Sequence, residues 1–194
     1  MNVKDFVVVT CERNVIKDFI EKWHYSHNIN GVISDYCFAL FNKEELIGAM
    51  IYGRLAMRNQ YKKYCDNEKD IIELRRLVCI DDTPKNTESY FIGHTLRWLA
   101  RNTDIKLVIS YADSTYGHCG TIYKASNFKH IGYTQPIKVI KRLSDGKLFH
   151  DKTIRTKYKG ELKPFAKKLK EELANGDAIY EKTKQKYIYL YELY

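Results

Sequence analysis

SYADSTYGHCGTIYKASNFKHIGYT, residues Ser110–Thr134, is the most informative segment of this sequence. It follows the apolar run Leu107–Ile109, which predicts a short buried strand. Asp113 would then lie at the carboxyl end of this strand, the edge at which open α/β sheets bind their ligands. The apolar positions within Ile122–Phe128 predict a short helix, and residues 129–133 predict the next strand. An acid, a histidine, a thiol and several tyrosines therefore meet at one strand-to-helix junction, an arrangement found in buried sites and in ordinary junctions alike.

The composition is that of a globular protein, with 194 residues of which 44% are hydrophobic and 29% charged. This length fits one domain, or one domain with an appendage. No apolar run approaches the roughly 20 residues that span a bilayer, and the N-terminus does not resemble a signal peptide, so we expect a cytoplasmic protein without membrane contact. The five cysteines are scattered without a CxxC pair, which argues against a disulfide framework or a zinc site.

The charge is strongly basic, with 33 Lys and Arg against 24 Asp and Glu, a net charge of +9. Such a balance favours a polyanionic partner, because cations near phosphates release counterions. The 16 tyrosines could also stack on bases. A polyanionic partner is therefore expected, while a generally basic protein without such a partner remains the alternative.

Hydrophobic periodicity predicts alternating strands and helices before the central segment. One feature stands out in this part of the chain. The alternation fails within the strand IIELRRLVCI, which predicts a β-bulge near Arg75–Arg76. The other predicted elements are a strand at residues 6–10, a helix at 14–23, a hairpin at 36–41 and 46–52, the strand at 71–80, and a helix at about 88–101.

The last third of the chain is basic and predicts a smaller set of elements. They are a strand at residues 137–143, a hairpin turn at 144–147, a helix at 162–174, and a tyrosine-rich strand at 186–193. No repeat or linker separates them from the rest. We therefore expect one domain over residues 1–194, with a basic helix and a final strand, about residues 144–194, appended to it.

Two further clusters of polar residues are candidate binding elements. The motif WHYS holds His24 and Tyr25, which could bind a metal or hold a base, or could simply form a polar helix end. The polar loop that contains Asn86 and Thr87 leads into a helix near Ser89. Free N–H groups at a helix N-terminus favour an anion, so this loop is a candidate site for a phosphate-bearing cofactor.

The predicted order of strands and helices is similar to that of the GCN5-related N-acetyltransferase (GNAT) fold. The segment IYKASNFKHIGYT also resembles the end of that superfamily's domain. The resemblance implies an α/β (α+β) fold with a mixed, mostly antiparallel central sheet flanked by helices. It also implies acetyl-CoA or a related acyl donor as the small-molecule cofactor.

The local sequences WHYS, ELRRLVC, PKNTES and ISYADSTYGHCGTIYKASNFKHIGYT resemble the phage Mom family of DNA adenine-modification proteins. That resemblance covers roughly residues 20–135 and implies a function: addition of a carbamoylmethyl group to adenine N6, which protects phage DNA from restriction. Carried over by motif, the positions that it marks are His24, Tyr25, Arg75, Ser89, Asp113 and Tyr123. The sequence departs from ordinary acetyltransferases at one place. They bind the pyrophosphate of the cofactor with a glycine-rich loop, and residues 83–87 replace that loop here.

The resemblance implies a role for each marked residue. Asp113 would accept a proton from N6 as a general base, and Tyr123 would protonate a leaving thiolate, with His24 and Tyr25 as further catalytic residues. An anion would be bound by Arg75 and Ser89: either a phosphate of the donor or a phosphate of double-stranded DNA, the partner that the resemblance implies. Further candidates for cofactor binding are Arg76, Asn86 and Thr87.

The product itself raises a chemical problem. A carbamoylmethyl group joins N6 through a methylene carbon, which simple acyl transfer does not supply. Iron bound by His24, Tyr25 and Asp113 is therefore a hypothesis for the extra chemistry.

Two other functions remain open at this point. One is a conventional acyl-CoA N-acyltransferase that acts on a protein or a small amine. The other is a DNA-binding protein without catalytic activity. The sequence does not determine the oligomeric state, and a homodimer is among the alternatives.

Overall fold

The structure is a computed structural model that describes residues 2–193. The chain forms two compact units. The main unit comprises the residues up to 133 together with those from 186 onward, and the inserted unit comprises residues 134–185. Within the described residues, no helix is both long and apolar enough to cross a membrane.

Ten strands and four α-helices make up the described part of the chain. The strands are β1 (Val7–Thr10), β2 (Tyr36–Asn42), β3 (Glu45–Gly53), β4 (Ile71–Cys79), β5 (Leu107–Asp113), β6 (Lys129–Tyr133), β7 (Lys138–Arg142), β8 (Leu148–His150), β9 (Ala178–Lys182) and β10 (Lys186–Glu192). The helices are α1 (Arg13–Trp23), α2 (Thr87–Asn102), α3 (Thr121–Ala125) and α4 (Pro164–Asn175).

The main unit is built on a seven-stranded sheet with the order β1-β2-β3-β4-β5-β10-β6. Every neighbouring pair in this sheet is antiparallel except β4 and β5, which are parallel. The predicted mixed, mostly antiparallel sheet is therefore confirmed. The final strand β10, which the sequence analysis grouped with the appended C-terminal segment, lies between β5 and β6 in this sheet.

Helices cover both faces of the main sheet. Successive side chains of a strand point to opposite faces, so a single strand contributes to the core on each side. Strand β2 shows the arrangement most simply. Phe38 and Leu40 pack in the same apolar cluster as residues of α2, whereas Cys37 and Ala39 pack in the cluster of α1. Each fully buried apolar side chain contributes on the order of 1.5–3 kcal/mol, so these two clusters hold the sheet between its helices.

The sheet opens between its two parallel strands. Strands β4 and β5 pair only from Ile71 and Leu107 as far as Leu74 and Ser110, although both strands continue beyond that point. The pairing with β3 shifts here as well, because Tyr52 is opposite Leu74 while Ile51 is opposite Arg76. Arg75 is thus the extra residue, which confirms the predicted β-bulge. A gap between the diverging strands is the result.

The inserted unit has its own small sheet and its own core. The strand order is β8-β7-β9 with antiparallel pairs, and the predicted turn at residues 144–147 joins β7 to β8. The helix α4 buries Ala166 and Leu169, and Leu169 packs with Ile140 of β7 and Ala178 of β9. Strand β9 was not predicted, because its sequence AIYEK has no alternating pattern: Ala178 is buried, whereas Ile179 and Tyr180 are both exposed.

Candidate active site

A cleft of about 410 Å³ opens where β4 and β5 diverge. It is lined by the end of α1, the second half of β4, the end of β5 and the loop into α3. The structure brings most of the proposed site residues together here: His24, Tyr25, Arg75, Arg76, Asp113 and Tyr123. The sequence located these side chains in three separate segments, and the opening of the sheet unites them.

Asp113 is a buried carboxylate held by two partners. One oxygen accepts the backbone N–H of Thr115 at 3.0 Å, and the other forms an ion pair with Nζ of Lys186 at 2.7 Å. Burial by itself would raise the pKa of Asp113, but the hydrogen bond and the attraction of Lys186 outweigh it, so the pKa lies below its usual 3.8. Asp113 is therefore ionised, and its two contacts fix the orientation of its carboxylate. It is also a weaker base than an unpaired carboxylate.

Tyr123 is a buried phenol at the start of α3. Its ring packs against Phe128 and Tyr189, with centroids 5.6 and 5.3 Å away. Burial raises the pKa of Tyr123 to about 12, although a hydrogen bond with the side chain of Ser110 opposes the shift. The hydroxyl therefore keeps its proton at neutral pH and can act as a hydrogen-bond or proton donor.

His24 is the residue at which α1 ends, and it is only 4% exposed. Its Nδ1 accepts the backbone N–H of Ser26 at 3.1 Å, which assigns the proton of the neutral ring to Nε2. Burial is the main cause that lowers the pKa of His24 to about 4, and repulsion from Arg76 is the second. The imidazole is therefore neutral at physiological pH, with one nitrogen committed to the local backbone.

Tyr25 forms an aromatic wall at the rim of the cleft. Its ring lies 4.1 Å from that of His24 and 4.3 Å from that of Tyr116. The side chain of Tyr25 is 39% exposed, so part of its ring is available to a ligand. Burial and the nearby Asp113 raise the pKa of Tyr25, which keeps this phenol protonated.

The two arginines of β4 supply unused donors. Arg75 forms an ion pair with Glu73 at 3.3 Å and donates to the carbonyl of Arg54, while Nη1 of Arg76 donates to the carbonyl of Arg75 at 2.7 Å. The Nε atoms of both arginines are buried and have no hydrogen-bond partner within residues 2–193. A buried donor without a partner is costly, so the pair is suited to an anionic ligand.

Glu73 does not line the cleft, but it pairs with Arg75 of the lining, and the sequence analysis missed it. Burial raises the pKa of Glu73, while Arg75, Arg76 and Lys186 act in the opposite direction. A single acid inside the apolar run IIEL, two residues before an arginine, was the signal that could have identified it.

Three of the proposed residues lie outside the cleft lining. Thr87 is fully buried and its hydroxyl donates to the carbonyl of Pro84 at 2.7 Å, while the hydroxyl of Ser89 donates to the carbonyl of Asn86 at 3.0 Å. Asn86 precedes α2 in a left-handed conformation without a side-chain cap. These polar groups organise the first turn of α2, and only Glu88 from that turn lines the cleft.

The hypothesised iron ligands do not fit a metal in this arrangement. Within the described part of the chain, no three His, Cys, Asp or Glu side chains gather as a metal-binding group. Both oxygens of Asp113 are already engaged by Lys186 and Thr115, and Nδ1 of His24 is engaged by Ser26. No step of the chemistry below is therefore assigned to iron.

This opening of a mixed sheet defines a class of protein, the GNAT acetyltransferase fold. Similar solved structures include a probable acetyltransferase from Staphylococcus epidermidis (TM-score 0.55, 10% identity, 97% of this chain and 99% of that one). They also include Arabidopsis thaliana NAA60 in complex with acetyl-CoA (TM-score 0.54, 10% identity, 97% and 98% covered). At such low identity the similarity shows the fold alone, and it confirms the predicted fold class.

The chain belongs to the Mom protein family, whose sequence profile matches residues 5–194. A relative is the methylcarbamoylase Mom of Escherichia phage Mu, which is 29% identical over 133 residues. That match covers 66% of this chain and 54% of the relative, so the chain spans about half the length of the relative. The predicted family is thereby confirmed.

Proposed function

We propose that this protein is a transferase that modifies DNA by adding a carbamoylmethyl group to N6 of adenine, and that it protects phage DNA from restriction in the host cytoplasm. Membership of the Mom family and the name of the phage Mu relative support this reaction. The observation that carries the proposal is the cleft, in which an ionised Asp113 and a protonated Tyr123 line the opening between two strands.

The cleft offers a place for a single base. Adenine N6 is inaccessible within a duplex, so the base must be flipped out at a cost of a few kcal/mol. The ring of Tyr25 is partly exposed and contacts the rings of His24 and Tyr116, so this aromatic group offers a surface on which such a base can stack. We therefore place the adenine against Tyr25, with its exocyclic amine directed into the cleft.

Asp113 and Tyr123 are the residues to which we assign the proton transfers. N6 is a poor nucleophile because its lone pair is delocalised into the ring. A carboxylate that accepts a hydrogen bond from the amine raises electron density on the nitrogen and can take its proton as the new bond forms. Lys186 keeps Asp113 ionised and correctly oriented for this role. The phenol of Tyr123 is the donor for the leaving group.

The unused Nε donors of Arg75 and Arg76 are assigned to an anionic part of the group donor. An acyl-CoA-type donor is supported by the fold, since the related structure of Arabidopsis NAA60 contains acetyl-CoA. A carbamoylmethyl product nevertheless requires a donor whose methylene carbon, rather than a carbonyl carbon, carries the leaving group. The bond from that carbon to the leaving group breaks as its bond to N6 forms, Asp113 takes the N6 proton, and the leaving group takes the proton of Tyr123. The mass of the product therefore distinguishes this reaction from ordinary acetyl transfer.

The test is nucleoside mass spectrometry of DNA from cells that express the chain, compared with cells that do not. We expect a new adenosine derivative with the mass of a carbamoylmethyl adduct. An acetylated protein or amine with unmodified DNA would instead assign a conventional N-acyltransferase. DNA binding without any modified nucleoside or amine would assign a non-catalytic DNA-binding protein.

A further inference from the structure

The positive charge of this chain is concentrated in the inserted unit. Residues 134–185 contain 14 Lys and Arg against 7 Asp and Glu, which gives a net charge of +7 out of the +9 of the whole chain. The main unit, although it is more than twice as long, carries the remaining +2. The unit that contains the cleft is thus nearly neutral, and the inserted unit is the cationic part of the molecule.

Most acids of the inserted unit are already paired, which leaves many lysines uncompensated. Arg142, for example, pairs with Glu172 at 2.8 Å, and Lys167 pairs with Glu161 at 3.1 Å. Nine exposed lysines have no carboxylate partner within residues 2–193: Lys138, Lys152, Lys157, Lys159, Lys163, Lys168, Lys170, Lys182 and Lys184. Their charge is available to a partner outside the chain.

Two of these lysines lie beside an exposed aromatic ring, in a turn that contains a third. The segment Lys157–Lys163 forms a tight turn, because the backbone groups of Tyr158 and Glu161 bond to each other at 2.7 and 3.1 Å. Gly160 occupies the left-handed region that such a turn requires, with φ of +86°. Tyr158 is 63% exposed, and Nζ of Lys159 and Nζ of Lys163 lie 5.8 and 5.6 Å from its ring centroid. We call this segment the lysine–tyrosine turn.

We propose that the inserted unit is the docking surface for duplex DNA, and that the lysine–tyrosine turn makes its main contacts with the phosphate backbone. This inference rests on the proposed function, which supplies DNA as the substrate. Exposed lysines that neutralise phosphates release counterions and provide affinity without reading the sequence. A tyrosine between them adds contact with sugar and base at little cost in side-chain entropy. The binding free energy gained here offsets the cost of flipping a base into a separate cleft.

The experiment compares two charge-matched triple variants of the full chain. One replaces Lys157, Lys159 and Lys163 with Gln, all in the turn. The control replaces three exposed lysines of the main unit with Gln: Lys4, Lys17 and Lys43. Binding to a fluorescent DNA duplex is measured by anisotropy over a series of salt concentrations. All six side chains are exposed, so thermal melting should show both variants folded.

We expect the turn variant to bind on the order of tenfold or more weakly at about 0.1 M salt, with the slope of log K against log salt reduced by about 3. The control should keep most of the affinity and of the slope, and replacement of the same three turn lysines with Arg should retain binding. Equal weakening of both Gln variants would overturn the proposal, because it would mean that only total charge matters. Unchanged binding by the turn variant would overturn it as well.

The binding assay and the nucleoside assay separate this inference from the proposed function. If the turn controls DNA binding but no nucleoside is modified, the docking surface stands and the proposed reaction fails. If adenine is modified while the turn variant binds normally, the reaction stands and the docking surface fails.

Discussion

The cleft of the main unit and the lysine–tyrosine turn of the inserted unit use charge in opposite ways. At the cleft, buried carboxylates have fixed cationic partners, as in the pairs of Asp113 with Lys186 and of Glu73 with Arg75. In the turn, Lys157, Lys159 and Lys163 are exposed and have no carboxylate partner among the described residues. The acid of the turn, Glu161, pairs with Lys167 instead. Buried pairs fix geometry at a cost in desolvation, whereas exposed cations act at longer range and are screened by salt.

The difference indicates a division of tasks between the two units. Precise chemistry requires side chains that cannot move, and the main unit provides them. Attraction to a polyanion requires charge that is free to adapt, and the inserted unit provides that. Matched substitutions in the two regions should therefore have unequal effects, and each prediction below compares a residue of the main unit with a counterpart of the inserted unit.

The largest difference in stability between two matched variants is expected when Gly120 and Gly160 are each replaced by alanine. Gly120 and Gly160 both have left-handed backbones, with φ of +79° and +86°. A methyl group on Gly120 would lie within 2.1 to 2.5 Å of the ring of Tyr189, whereas one on Gly160 would meet nothing within 4 Å. Gly160→Ala should cost about 1 kcal/mol from backbone strain alone. Gly120→Ala should cost several kcal/mol more, because a buried ring must move.

Urea unfolding measures both glycine variants. Equal destabilisation would show that the loop before α3 is not packed against β10 as described. The cleft would then lack the rigid wall that our account requires.

A loss of activity without a loss of folding is expected for Tyr123→Phe. The phenylalanine ring keeps the packing against Phe128 and Tyr189, but it cannot donate a proton. Modified adenosine should fall by about 100-fold, the usual contribution of a general acid. The matched variant in the inserted unit is Tyr180→Phe, which removes a hydroxyl from a side chain that is 46% exposed. It should modify DNA as the wild type does, and comparable turnover by both variants would remove Tyr123 from the mechanism.

The pH dependence of stability should depend on His24. Its pKa is about 4 in the folded protein against 6.5 for an ordinary imidazole, so the unfolded chain binds more protons between these values. The stabilisation is complete above pH 6.5 and is lost as the pH falls towards 4. From pH 7 to pH 5 the free energy of unfolding should fall by about 2 kcal/mol from this residue.

Two variants isolate the contribution of His24. His24→Gln should remove this part of the pH dependence, since glutamine does not titrate. His150→Gln, at an exposed histidine of the inserted unit, is the matched control for the substitution itself. Identical pH profiles for the wild type and His24→Gln would mean that the imidazole is not buried in its neutral form.

The sequence predicted much of this structure because the relevant signals are local. The failed alternation around Arg75 predicted the bulge, and the polar segment after β5 placed Asp113 at a strand end. These inferences need only neighbouring residues and the period of a strand.

The parts that could not be predicted depend on long-range pairing. Lys186 lies opposite Asp113 only because β10 enters the sheet beside β5. Nothing near either residue indicates that register. The assignment of the cleft and of the cationic segment to different compact units likewise depends on which segments pack together. For the same reason, the polar residues Asn86, Thr87 and Ser89 fitted an anion site in sequence, yet their side chains organise the first turn of α2.

The central claim is that Asp113 takes part in the transfer to adenine, and one variant tests it most directly. Asp113→Asn keeps the size of the side chain but cannot accept a proton as a base. The control is Asp145→Asn in the inserted unit, where another carboxylate pairs with a lysine, Lys147, at 3.4 Å.

The measurement combines thermal melting with nucleoside mass spectrometry on the same samples. Lys186 is partly exposed, so loss of its partner should lower the melting temperature only slightly. We predict that Asp113→Asn reduces modified adenosine by 100-fold or more with little change in melting, and that Asp145→Asn modifies DNA normally. Undiminished modification by Asp113→Asn would contradict the account.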